Sequence, residues 1–165
     1  MVTYNLNEER QPEGVNIRAL KGALLRAPGP DDRGGGTAMA CGVFTAEGER
    51  VTEAETWTSA GILSLPSDPP DPAKARRRPG RWLFAGMAFN HFGHAFCYSL
   101  ARFWAIERLR AEGVTLHGVI LFQRKADDGS GQAQLGRRLE AILDIFTPGL
   151  PVVTLAEDEI VEELF

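Results

Sequence analysis

Cysteine is scarce: Cys41 and Cys97 are the only two in 165 residues, far apart and in no CxxC pair. That excludes a secreted disulfide scaffold and a zinc ribbon, and points to a reducing cytosol. Basic charge is not in excess either. Eighteen Lys and Arg stand against 22 Asp and Glu, a formal charge of -4, so the chain lacks the electrostatic footprint of a nucleic-acid binder. No segment approaches the roughly 20 continuous apolar residues that a bilayer-spanning helix requires. The opening MVTYNLNEERQPEG is acidic and without an apolar run, so it reads as neither signal peptide nor anchor. The expectation is a cytoplasmic chain with no transmembrane segment and no nucleic-acid partner. Repeats at solenoid spacing are also lacking.

What is present is an ordinary globular composition, 44% hydrophobic and 24% charged. At about this length a chain buries roughly 68 to 70% of its unfolded surface, so neither disulfide nor metal is needed for stability. Eight of ten prolines precede Trp82, and Gly34, Gly35 and Gly36 follow a turn-like Pro28-Gly29-Pro30-Asp31-Asp32. Residues 1–65 read as a β-rich amino-terminal segment of small antiparallel pieces: strands over 17–26 and 38–44, then a turn at Glu47-Gly48 leading into 51–57. Residues 66–80 read as a Pro-rich linker, since Pro66, Pro69, Pro70 and Pro72 remove donors and fix φ. Residues 81–165 then alternate: apolar runs at 81–86, 116–122 and 152–155 are separated by helical spacing at 92–109 and 135–146. That pattern predicts an α/β fold, a Rossmann-like βαβαβ portion with too few strands for a complete doubly wound sheet.

The densest chemistry lies at the first strand-to-helix junction, Asn90-His91-Phe92-Gly93-His94. Ligands of open α/β sheets sit beyond the carboxyl ends of strands, and first-turn amides favour anionic groups. Asn90 fits an N-cap. On helical spacing His91, His94, Tyr98 and Arg102 share one stripe, while Phe92, Phe96, Leu100, Phe103 and Ile106 form an apolar one for the core. Weighed against this, a histidine near a helix start is often only a packed or capping residue. Two of them beside Asn and Arg favour a site.

The remaining signals read as structure. His91 and His94 as metal ligands lack a third partner and an HExxH pattern. Cys97, mid-helix, reads as a small buried hydrophobe. Gly129-Ser130-Gly131 fails the GxGxxG spacing and reads as a plain βα loop. Arg76-Arg77-Arg78 reads as a solvated loop, His117 as a structural residue, and Glu157-Asp158-Glu159 with Glu162 and Glu163 as the exposed face of a short terminal helix.

Asn90-His91-Phe92-Gly93-His94, followed by Ser99-Leu100-Ala101-Arg102-Phe103-Trp104, resembles the "HFGHF, then ESLARLW" signature of bacterial glycosyltransferase family 61, the capsular polysaccharide biosynthesis type. More distant members carry N-x-x-H-W-x-x-E-x-x-P-R-L, where His94 matches the histidine and Arg102 the arginine. The resemblance extends loosely over residues 38–165. It implies half of a GT-B-type fold of two Rossmann-like domains, moving a sugar from a nucleotide-sugar to a hydroxyl acceptor with inversion, without an obligatory metal or other cofactor. Under it, His94 and His91 are catalytic, and Asn90, Arg102 and Tyr98 bind substrate on the acceptor side. Two positions depart: Tyr98 stands where the family has glutamate, and Ala95 where it has an aromatic residue. The resemblance further implies that this is the amino-terminal half, with donor binding lying mainly in a second domain. One alternative is a truncated or degenerate domain that binds a glycan or partner chain without catalysis; another is a metal-dependent hydrolase using His91 and His94. An apolar face left for a second domain would also favour a homo-oligomer.

Overall fold

The apolar runs of the second half become neighbouring strands because their side chains are apolar on both faces and need cover above and below. The computed structural model describes residues 17–29, 39–58, 61–62, 64–65, 67–88, 97, 99–123 and 137–165. In order these form β1 (Leu20–Arg26), β2 (Met39–Ala40), β3 (Gly42–Phe44), a 3-10 turn (Thr52–Ala54), β4 (Trp57–Thr58), β5 (Gly61–Ile62), β6 (Ser64–Leu65) and β7 (Arg76–Met87). A second 3-10 turn (Leu100–Arg102), α1 (Trp104–Ala111), β8 (Gly118–Phe122), α2 (Arg137–Phe146), β9 (Val152–Thr154) and β10 (Glu159–Leu164) follow. Among the described residues no helix is long and apolar enough to cross a membrane.

Six strands build one mixed sheet in the order β3-β1-β10-β7-β8-β9. The run β10-β7-β8-β9 is parallel, β1 is antiparallel to β10, and β3 is antiparallel to β1. The class is therefore α/β, with a mostly parallel sheet. Alternation along β7 and β8 separates two cores. Trp82, Phe84, Met87, Ile120 and Phe122 pack on one face with Leu25, Cys41, Val43 and Val51. Leu83, Ala85, Val119 and Leu121 pack on the other with Phe103, Ile106, Leu109 and Leu143. Both helices thus cover the same face. Crossovers of one hand that step the same way across a sheet, as from β7 to β8 to β9, fall on one side of it. The connection from β9 back past β7 to β10 steps the other way, and its Leu155 is buried in the opposite core.

Three expectations are corrected. The amino-terminal strands are not a separate antiparallel unit, because β1 and β3 hydrogen-bond into the main sheet through β10. The linker ends sooner: β7 begins at Arg76, five residues before the expected Arg81. And residues 159–164 form a strand between β1 and β7 instead of a terminal helix. The two charge runs explain the last two. Along the adjacent parallel strands β7 and β10, Arg81 meets Glu163 at 2.9 Å and the Gly80 N–H donates to Glu162 at 2.6 Å, while Arg76 meets Glu157, just before β10, at 3.4 Å. Arg78 forms a fork on Glu159, with Nη2 to Oε1 at 2.7 Å and Nε to Oε2, and lies over the Trp82 ring at 4.6 Å. Glu159 is only 2% exposed. A ladder of opposite charges replaces the solvent that each run needs when alone.

Gly118 opens β8 under severe crowding: a Cβ there would sit 2.5 Å from the Pro151 carbonyl oxygen and 2.5 Å from Trp82 Cζ3. Because one obstacle is backbone, Gly118→Ala is expected to lose about 1–3 kcal/mol of stability in urea unfolding. A loss below a few tenths would show that β8 and Pro151 stand further apart.

Candidate functional site

The parallel strands run β9-β8-β7-β10, so the chain steps outward from β7 to β9 and then returns to the far side of β7. The reversal lies between β7 and β10, the place where open α/β sheets leave a crevice beyond their strand ends. A cleft of about 260 Å³ lies there. Leu83 and Phe84 of β7 and Leu164 and Phe165 at the end of β10 form its floor, and Leu20, opposite Leu164 in β1, adds to it. Val43, Val51 and Ala54 supply one wall, and Arg102, Trp104 and Ala105 the other. At the rim Arg18 pairs with Glu53 at 3.2 Å, both exposed.

Arg102 is held by local geometry. Ser99, fully buried, donates its hydroxyl to the Met87 carbonyl, which ties the approach to α1 to the end of β7. Leu100, Phe103 and Ile106 then bury in the helix-side core, as the apolar stripe predicted. The Arg102 guanidinium is left to pass over β7 at Gly86, where φ is +86° and the register against β8 shifts. A Cβ on Gly86 would stand 3.6 Å from Arg102 Cζ. The guanidinium lies 5.6 Å from the centre of the Phe84 ring, donates from Nη2 to the Glu55 carbonyl at 3.1 Å, and reaches the Ala54 carbonyl from Nη1 at 3.5 Å. Arg102 therefore clamps the 52–54 turn onto the sheet. Burial alone pushes its pKa below the usual arginine value, and among the described residues no carboxylate pairs with it. The neighbouring Glu55 carboxylate is taken by Arg50 at 2.8 Å.

Of the expected site residues, Arg102 is in the cleft wall. Asn90, His91, His94 and Tyr98 lie outside the described residues, as does the Gly129-Ser130-Gly131 loop. The metal alternative rests on His91 and His94 and shares that position. His117 is structural as expected: its Nδ1 accepts from the Arg81 N–H at 3.0 Å, and its own N–H donates to the Arg81 carbonyl at 2.7 Å. The wall from residues 43–54 was not foreseen, because nothing local in that segment announces a ligand.

The two thiols differ. Cys97 is exposed, which corrects the expectation of a buried hydrophobe; Cys41 is fully buried. Burial pushes the Cys41 thiol up to about 12 from 9.0, with Arg50 pulling the other way. Iodoacetamide is expected to label Cys97 in the native protein and Cys41 only after unfolding. Between pH about 9 and 12 the folded Cys41 keeps a proton that the unfolded one has lost. Unfolding free energy then falls with rising pH by up to about 1.4 kcal/mol per unit, a slope absent from Cys41→Ala. Rapid native labelling of both thiols would contradict this.

Compared with known proteins, the chain matches no family model, no curated protein and no solved structure.

Proposed function

We propose that this chain is the acceptor-side domain of a glycosyltransferase of the family 61 type, moving a sugar from a nucleotide-sugar to a hydroxyl acceptor in glycan synthesis. One observation carries the reading: a cleft at the reversal of strand order with Arg102 in its wall, reached from β7, whose end leads in sequence into Asn90-His91-Phe92-Gly93-His94. Under this reading the sheet is one Rossmann-like half of a GT-B arrangement, and a facing lobe supplies most donor contacts. Inverting transfer needs a base for the acceptor hydroxyl, and histidine, titrating near roughly 6.5, suits that role near neutrality. His94 is the proposed base, and His91 the second proposed catalytic residue. Asn90, Tyr98 and Arg102 bind substrate on the acceptor side, and the facing lobe meets the charge of the departing nucleoside diphosphate. Two half-sites must face one another for full rate, so turnover by one half is slow.

A second reading, a non-catalytic glycan-binding domain, is favoured by Tyr98 at the glutamate position and by the commitment of Arg102 to two backbone carbonyls. Donor hydrolysis and transfer to an oligosaccharide panel separate the two. The transferase reading expects slow turnover that His94→Ala abolishes with an unchanged melting temperature. Glycan binding without turnover supports the second reading, and turnover indifferent to His94→Ala removes His94 from the mechanism.

A further inference from the structure

We propose that the cleft binds a small amphipathic monoanion, an aryl or short-alkyl carboxylate, whose carboxylate pairs with Arg102. This goes beyond the transferase reading and does not depend on it, since it rests only on the cleft walls and one guanidinium.

The walls set the body of the ligand. Leu20, Val51, Phe84 and Leu164 present apolar surface to a volume of about 260 Å³, close to the roughly 300 Å³ at the small end of ligand pockets. One ring or a short chain fits this volume. Arg102 sets the head. Two of its donors reach backbone carbonyls; the others meet no acceptor among the described residues, and the side chain lines the cleft. A partly desolvated guanidinium without a carboxylate partner gains most from a planar anion that accepts two of its N–H groups in parallel.

The charge tally limits that anion to a single charge. Among the described residues the charged side chains lining the cleft are Arg18, Glu53 and Arg102, and the first two pair with one another. Of these three, Arg102 is the cation that no carboxylate side chain among the described residues pairs with. A dianion would place its second charge among apolar walls and near Glu53, at a cost the site has nothing to offset.

Calorimetric titration of the full chain with benzoate, benzamide, acetate and phenyl phosphate tests this. Benzoate is expected to saturate one site, with benzamide and acetate weaker by roughly tenfold or more and phenyl phosphate no tighter than benzoate. Arg102→Met is expected to weaken benzoate to the level of benzamide. Ala54→Leu, which fills the cleft yet keeps the carbonyl at 54 and Arg102 itself, is expected to abolish benzoate binding and decides the matter where Arg102→Met does not fold. Equal binding of benzamide, tighter binding of phenyl phosphate, benzoate binding that survives Ala54→Leu, or no benzoate binding at all would overturn the assignment. Sugar transfer is read separately, by donor hydrolysis and its response to His94→Ala, so a failure of benzoate binding and a failure of the transferase reading are distinguishable.

Discussion

Arg78→Met is expected to remove about 3–5 kcal/mol of unfolding free energy, because it strands the Glu159 carboxylate inside the sheet without a counter-charge. Glu159 is 2% exposed and the Arg78 side chain 14%, so water does not screen the pair as it does the neighbouring Arg76–Glu157 contact, where both side chains are more than half exposed. Against a total stability of roughly 5–15 kcal/mol such a loss leaves a marginal protein. The same reasoning predicts recovery. Arg78→Met with Glu159→Leu replaces the pair by apolar groups and is expected to regain most of the loss, since a buried ion pair roughly breaks even against well-packed hydrophobes. Urea unfolding of both variants checks the pair. A single-variant loss under about 1 kcal/mol would mean that the ion pair is solvated and does not hold β10 against β7.

Phe84→Ala carries the second large effect and joins fold to site. Phe84 is buried at 5% exposure, meets Phe122 edge-on at 4.8 Å between ring centres, and underlies the Arg102 guanidinium. Truncation loses transfer free energy and leaves a cavity, about 3–5 kcal/mol together, or a fall of roughly 2–4 °C in melting temperature per kcal/mol at this size. It also removes the aromatic face on which Arg102 rests, a contact of about 0.5–2 kcal/mol. Phe122→Ala is expected to match the cavity cost while leaving Arg102 seated. Ligand binding in the cleft is therefore expected to fall more in Phe84→Ala than in Phe122→Ala. Equal effects of the two on binding would detach Phe84 from the site.

The helix-strand alternation after residue 80 was readable because each run is long enough to declare its period: 116–122 became Gly118–Phe122, and 135–146 became Arg137–Phe146. The short elements were less readable. Residues 51–57, expected as a strand, hold the 3-10 turn Thr52–Ala54 before β4. β10 is hard to read because Glu159, Glu162 and Glu163 suggest a solvated helix face, and nothing local reveals that their partners, Arg78, the Gly80 N–H and Arg81, lie some 80 positions earlier. Strand preference depends on the partner surface more than on the residues themselves.

The site divides in the same way. Arg102 was legible from its place on a helical stripe beside an unusual junction. The residues that give the cleft its apolar character, Leu20, Val51, Ala54 and Leu164, come from strands and turns brought together only by the mixed sheet. Their individual contexts read as ordinary core, and the reversal of strand order that opens the cleft depends on β10 being a strand at all.

The reversal of strand order is the proposed seat of ligand recognition. Mapping backbone amide shifts of the full chain during titration with acceptor oligosaccharides tests it most directly. Perturbations gathered at residues 83–88, 99–105 and 164–165 are predicted. A map centred instead on β9 and α2, at the far edge of the sheet, would contradict the account.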